Sequence, residues 1–205
     1  MRTILLTFCL FMGTILSAQN NVLIEIENAN AAYKVITGDF VRTQTNVAKG
    51  TSIKADGTLY IVGEDQMAQH YKAPSTDLLI INGNDFYMIR GKKTNKFNTE
   101  KNKTMCSLRN TLLYCVHGKP MELATENGAE ITAEKKENEY EVVLISTKKT
   151  ARGYAKIVLT YDLKSKLLTK MRMDEYNGNS TLYEMNNLKT NGNIDAKVFD
   201  IPEKK

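Results

Sequence analysis

Two histidines, three cysteines and a scatter of carboxylates are the residues able to do chemistry in this chain. Their spacing assembles none of them into a working set. His70 stands in an alternating segment beside Tyr71 and reads as a surface or rim residue rather than a general base. His117 falls at the end of a helical pattern, where a cation complements the helix dipole. Neither belongs to an HExxH or a CxxC…HxxH ligand spacing, so neither a metal nor any other cofactor is expected. No Gly-x-Ser-x-Gly elbow occurs, and no GxGxxG follows a strand. Glu137, Glu139, Glu141 and the Asp174-Glu175 pair lie near turns and read as solvated. Asn102-Lys103-Thr104 and Asn179-Ser180-Thr181 match the glycosylation sequon, a pattern common by chance. With no nucleophile, base and orienting group to bring together, the sequence does not describe an enzyme.

The basic residues do not form a stripe. Lys92-Lys93, Lys135-Lys136 and Lys148-Lys149 each fall at a turn among polar neighbours. Nucleic-acid binding needs a basic face with helical or aromatic context, which is missing. The formal net charge of +5 leaves a mild attraction to an anionic membrane surface. Cys106 and Cys115 share a segment of helical periodicity, Met105-Leu108-Leu112-Leu113-Val116. Nine residues of straight helix separate the two by about 13.5 Å, and a disulfide needs Cα atoms within about 7 Å. Either both are free thiols, the reading favoured here, or the helix breaks between them and a bridge forms.

The N-terminus gives the compartment. Arg2 precedes an uncharged apolar run from Ile4 to Leu16, then the small Ser17-Ala18 and the polar Gln19-Asn20-Asn21. That is a secretory signal peptide covering residues 1–18, cut near Ala18. Cys9, preceded by Thr7-Phe8, reads poorly as a lipid-attachment site. Residues 19–205 then form a single soluble domain, with 42% hydrophobic and 25% charged residues, three prolines and no linker. No later stretch is long and apolar enough to span a membrane.

Val22, Ile26, Ala29, Tyr33 and Ile36 recur at helical spacing and predict an amphipathic helix of about four turns ended by Gly38. Phe40 to Thr45 predicts the first strand. Asp56-Gly57 reads as a turn feeding the strand Leu59 to Val62. Met67 to Lys72 alternates up to Pro74. Leu78 to Ile81, Asn82-Gly83 and Phe86 to Ile89 make a hairpin. A helix over Met105 to Val116 follows, closed by Gly118 and Pro120. Strands are predicted at Tyr140–Ile145, Ala155–Tyr161, Leu167–Met173 and Thr181–Met185, with turns at Asp162–Lys166 and Asn177-Gly178-Asn179. A short turn packing Phe199 ends the chain. About nine to eleven short strands joined by tight turns mean antiparallel neighbours. A sheet that large must curl. The expected fold is mainly β (α+β): a strongly curved antiparallel sheet forming a half-open barrel, with a lid of two or three helices on its concave side.

Nine methionines, ten tyrosines and six phenylalanines suit either an ordinary core or an adaptable lining for variable hydrophobic ligands. The order of elements bears on that choice. A first helix followed by Gly38-Asp-Phe-Val-x-Thr-Gln44 resembles the opening of the periplasmic outer-membrane lipoprotein carrier (LolA) family. Gly57-Thr-Leu-Tyr-Ile, Tyr71-Lys-Ala-Pro74, Leu79-Ile-Ile-Asn-Gly83 and Phe86-Tyr-Met are similar to its central pattern. Leu159-Thr-Tyr-Asp162, Asn177-Gly178 and Asn191-x-x-Ile-x-x-x-x-Phe199 resemble its C-terminal half.

The resemblance implies an incomplete barrel with a helical lid over a hydrophobic cavity. Such a protein, a monomer, takes lipoprotein acyl chains from an inner-membrane releasing complex and hands them to an outer-membrane receptor, acting in the periplasm as a chaperone for its cargo. On this reading Leu59, Ile61, Met67, Tyr71, Leu79, Phe86 and Met88 line the cavity from the strands. Leu108, Leu112 and Val116 line it from the lid helix, and Val22, Ile26 and Tyr33 from the first helix. Where both strand parities are apolar, periodicity does not decide which faces inward. Two positions depart from the family. Its lid-latching arginine aligns with Gly63, and the tryptophan of its proline-terminated strand aligns with Gln69. A second reading is a sensing or interaction module of the same fold; such sensors usually carry a second domain, for which no residues remain after Lys205.

Overall fold

The computed structural model describes residues 20–148 and 153–201. The apolar run read as a signal peptide, with Cys9 and the cut near Ala18, lies outside the described residues, as does Lys149. Eleven antiparallel strands form one sheet: β1 (Val35–Asn46), β2 (Thr51–Val62), β3 (Gln66–Tyr71), β4 (Leu78–Asn82), β5 (Asp85–Arg90), β6 (Lys93–Asn98), β7 (Ala129–Lys135), β8 (Glu139–Ser146), β9 (Tyr154–Asp162), β10 (Leu168–Glu175) and β11 (Ser180–Thr190). Their spatial order is β6-β5-β4-β3-β2-β1-β11-β10-β9-β8-β7. The chain thus meanders outward from β1 to one edge, crosses over, and meanders back from the other edge until β11 pairs with β1. The edges β6 and β7 do not pair, so the barrel stays open. Their lysines and glutamates, among them Lys93, Lys96, Glu130 and Glu134, guard edges that would otherwise template aggregation.

The crossover carries two helices, α2 (Lys103–Val116) and α3 (Pro120–Asn127), and a first helix, α1, occupies residues 20–31. Their apolar faces meet one face of the sheet in a single cluster: Leu23 and Ile26 of α1, Leu112 and Val116 of α2, and Leu123 of α3 pack with Phe40, Leu59, Met67, Phe86, Tyr161 and Met171. A smaller cluster lies on the opposite face, where Ala68, Ile80 and Ile89 are covered by Phe199 and Ile201 beside a 3₁₀ turn, Ala196–Phe199. His70 belongs to that outer strap: its Nε2 lies 2.7 Å from the Val198 carbonyl oxygen, and its ring meets Tyr60 edge-on.

Several local expectations change. The first helix ends at residue 31, not at Gly38; Val35, Ile36 and Thr37 are β-branched and enter β1. Gly38 instead sits at a bulge opposite β11, where a Cβ would stand 2.7 Å from the Leu188 side chain and 2.9 Å from the Asn186 carbonyl oxygen. Asp56-Gly57 is no turn. It lies inside the twelve-residue β2, and a Cβ on Gly57 would fall 2.2 Å from the His70 carbonyl oxygen. The β4–β5 turn is Gly83-Asn84, one residue later than read, with Asn82 and Asp85 as the last pair. Gly83 takes a positive φ of 58°, as the first position of a II′ turn demands. The strands β6 and β7 and the helix α3 are additions. His117 is not a dipole-complementing cation: burial and the nearby Lys119 hold its pKa below the usual imidazole range, against the smaller pull of Glu64. Cys106 and Cys115 are free thiols on one unbroken helix.

Candidate functional site

Alternation along the strands places the sheet's inward residues in cross-strand rows. Leu59, Gln69, Leu79 and Met88 stand opposite one another in one row, and Ile61, Met67, Ile81 and Phe86 in the next. Tyr71 pairs with Gly57 one step along, and its ring meets Phe40 edge-on at 5.0 Å. Leu112, Val116, Val22 and Ile26 are buried against these rows, and Leu79, Met88, Leu108 and Tyr33 are half-buried at the margins. All thirteen expected cavity residues therefore share one interior.

That interior is not uniformly full. Beneath the C-terminal half of α2 lie two voids of about 10 Å³ each, one beside Leu59, Ile61 and Val116 and one beside Met67, Leu112 and Met171. A much larger cavity, about 430 Å³, lies at the other end. Its ceiling is the start of α2, with Met105 and Leu108; its floor is Leu144 and Ile157, which pair across β8 and β9, with Ala129 and Tyr154 beside them. Lys103, Asn127, Ser146 and Glu175 contribute polar groups to its lining. Of the thirteen expected residues only Leu108 lines this open space; the other twelve line none of it, because the helices pack down on them.

The reason lies in α2. Its buried residues, Thr111, Leu112, Leu113, Cys115 and Val116, all fall in its second half. That half is also pinned. The Tyr161 hydroxyl donates to the Cys115 carbonyl at 2.9 Å, and just past the helix, at the N-cap of α3, the Lys119 ammonium pairs with Glu64 at 3.2 Å. At mid-helix Arg109 Nε donates to the Gly83 carbonyl at 2.7 Å. The first half is capped by Asn102, whose side chain accepts from Met105 N. It carries only exposed or half-buried residues and stands off the sheet, leaving the cavity underneath.

A latch at the family's arginine position is absent. Gly63 occupies the β2–β3 turn with a φ of +57° and open space around it. The neighbouring Glu64 supplies the Lys119 pair instead, an exposed tie worth about 0–1 kcal/mol. Gln69 is buried on the inward face and accepts from the Tyr71 hydroxyl at 3.3 Å. The firmer polar anchor belongs to α1. Lys166 Nζ pairs with Glu25 at 2.8 Å, the Tyr140 hydroxyl donates to Glu25 at 2.9 Å, and Asn30 Nδ2 donates to the Lys166 carbonyl at 2.8 Å.

Met105, Leu144, Tyr154 and Ile157 were not among the expected site residues. In Val142-Val143-Leu144-Ile145 both parities are apolar, so alternation gave no sign that Leu144 turns inward while Ile145 is 51% exposed. The one available signal was the turn-rich break before Met105, which marks the start of a lid. Among the described residues no three His, Cys, Asp or Glu side chains gather as metal ligands, and no helix is long and apolar enough to cross a membrane.

Residues 31–202 match the family model for the outer membrane lipoprotein carrier protein LolA. No curated protein matches the sequence. Among solved structures, MucB superposes with a TM-score of 0.51 at 13% identity, over 92% of this chain and 64% of that one. A DUF1329 family protein from Desulfovibrio piger gives 0.48 at 11% identity, over 91% and 97%. A LolA superfamily protein from Nitrosomonas europaea gives 0.43 at 8% identity, over 89% and 98%.

Proposed function

The chain belongs to the outer membrane lipoprotein carrier protein (LolA) family, and from that premise we propose that it is a soluble, monomeric periplasmic carrier of lipoprotein acyl chains, not an enzyme. The observation that carries the reading is the apolar cavity of about 430 Å³ under the free half of α2, a volume within the roughly 300–1,000 Å³ of small-molecule sites. An acyl chain entering it is kept from water at about 0.8 kcal/mol per methylene. The cavity is the entry, and the packed interior behind it is the reserve. Lifting α2 off the sheet exposes Leu59, Ile61, Met67, Leu112 and Val116 to further acyl chains. The flexible methionines suit a grip that is broad rather than specific, and cargo must also be released. Export with cleavage near Ala18 places residues 19–205 as one domain between an inner-membrane releasing complex and an outer-membrane receptor.

The test is to add the purified protein to inner-membrane vesicles that carry lipoproteins and an active releasing complex. The proposal expects lipoproteins in the soluble fraction, in a complex with the protein. Lipoproteins that remain with the vesicles at every protein concentration contradict it.

A further inference from the structure

Arg42 is an arginine on the wrong face for a solvated charge. It lies on the inward side of β1, two residues from the buried Phe40, opposite Ala55 of β2 and Tyr183 of β11. Its guanidinium stacks over the Tyr71 ring, 4.7 Å from the centroid. Its Nε is buried and has no hydrogen-bond acceptor. Among the described residues no carboxylate oxygen lies within 4.0 Å of it; the six ion pairs all involve other residues. A guanidinium keeps its charge at any physiological pH, and a buried donor without an acceptor is costly. The site is therefore short of one acceptor, and an anion satisfies both the charge and the orphan N–H.

The surroundings say what kind of anion. The row through Arg42 continues inward as Tyr183 and Met171, then Leu159. The Tyr183 ring lies 6.1 Å from that of Phe40, which meets Tyr71 edge-on. Tyr183 and Met171 border the small void beside Met67, while Tyr154 walls the large cavity. Arg42 stands at the end of the row through Tyr183 and Met171, a cation at the margin of an apolar interior, the layout that suits an amphiphile. Two carboxylates are in range of these phenols, Asp77 of Tyr71 and Glu175 of Tyr154. Glu175 stands on β10, two strand spacings or about 10 Å from β1.

Resting on the carrier reading above, we propose that Arg42, flanked by Tyr71 and Tyr183, is a head-group site that makes this interior prefer long-chain amphiphiles with an anionic carboxylate or phosphate head over neutral ones. A charge-assisted bond to a guanidinium that is half-buried, with its Nε shut off from water, is stronger than a neutral one, and the expected preference is about tenfold or more.

Dodecanoate, dodecyl phosphate and dodecanol, each displacing a neutral fluorescent probe, separate the head groups at constant chain length. The expected result is that both anions, or one of them, bind at least tenfold tighter than dodecanol to the unaltered protein. Arg42→Gln brings them level with dodecanol, whose own affinity stays put; Arg42→Lys keeps part of the preference; Lys156→Gln, which removes an exposed cation of β9 outside the cavity lining, keeps all of it. Which anion wins tells a fatty-acid head from a phosphate head. Equal binding of all three ligands to the unaltered protein overturns the head-group site while leaving the carrier reading intact, and that comparison needs no variant to fold. A preference that survives Arg42→Gln or vanishes with Lys156→Gln also overturns it. Failure of all three ligands, dodecanol included, removes the apolar site and the carrier reading together.

Discussion

Replacing Tyr140 by Phe isolates what holds the first helix over the interior. Tyr140 is fully buried, yet its hydroxyl reaches the surface of α1, donating to Glu25 at 2.9 Å and accepting from Lys166 Nζ at 3.1 Å. The same ammonium lies 4.5 Å from the Tyr140 ring centroid, a contact that phenylalanine keeps. A hydrogen bond to a charged group contributes about 1.5–3 kcal/mol when shielded, but the Glu25 side chain is 50% exposed and water replaces part of the loss. The expected cost is about 1–2 kcal/mol, or roughly 3–6 °C in Tm for a chain of this size. The pH dependence follows from Glu25, whose pKa is lowered first by the Lys166 hydrogen bond and then by the Tyr140 one. A carboxyl with a lowered folded-state pKa contributes stability above its unfolded value, near 4.5, and loses it as pH falls through the folded value. Thermal melts at pH 7 and at about pH 2.5, with Glu25→Gln completing a double-mutant cycle, check this. The coupling between the two sites should be present at pH 7 and gone at low pH, and binding of a hydrophobic dye at pH 7 should rise as α1 loosens. An unchanged Tm at pH 7, or a coupling of the same size at both pH values, refutes the anchor.

Other consequences are quicker to test. Gly57→Ala pushes a Cβ into the His70 carbonyl and the Phe40 ring, so β2 and β3 must part; a loss of about 3–5 kcal/mol in denaturant unfolding is expected, and a loss below 1 kcal/mol contradicts the close approach. Cys115 is buried and its pKa pushed up by desolvation, whereas Cys106 is half-buried; a thiol reagent should modify Cys106 first, and Cys115 only on unfolding. Modification of both at equal rates argues against the packing of α2. Arg109→Ala removes the 2.7 Å tie to Gly83 and should cost about 1 kcal/mol while increasing hydrophobic-dye uptake; unchanged uptake means that this tie does not restrain the lid.

The existence and pairing of the inner strands were legible from the residues alone. Leu59 to Val62 and Met67 to Tyr71 read as strands that pair antiparallel through a tight turn. The inward parity did not follow from alternation, since Tyr60 and Val62 interleave with Leu59 and Ile61 and the polar Gln69 shares the inward face with Met67 and Tyr71. The polar edge strand Lys93–Asn98 was not legible, since an edge built to resist pairing carries lysine and asparagine where an inner strand carries valine. Gly57 and Gly38 misled for a shared reason. Glycine signals a turn locally, but here it serves a close approach that only the tertiary structure reveals. The same limit applies to the site. Helical periodicity identified the apolar face of α2, but whether that face touches the sheet depends on where Tyr161, Glu64 and Gly83 pin it. Packing therefore decides that Leu112 is sealed while Met105 overlooks a cavity.

The central claim is that hydrocarbon enters beneath the free end of α2. The direct measurement is photo-crosslinking with a diacylated lipopeptide carrying a diazirine in one acyl chain, followed by peptide mapping. Adducts on Met105, Leu108, Leu144 or Ile157, reaching Leu59 and Met67 at higher occupancy, are the predicted result. Labelling confined to the outer face, around Tyr60, Ile80 and Phe199, or no labelling that unlabelled lipopeptide competes away, contradicts it.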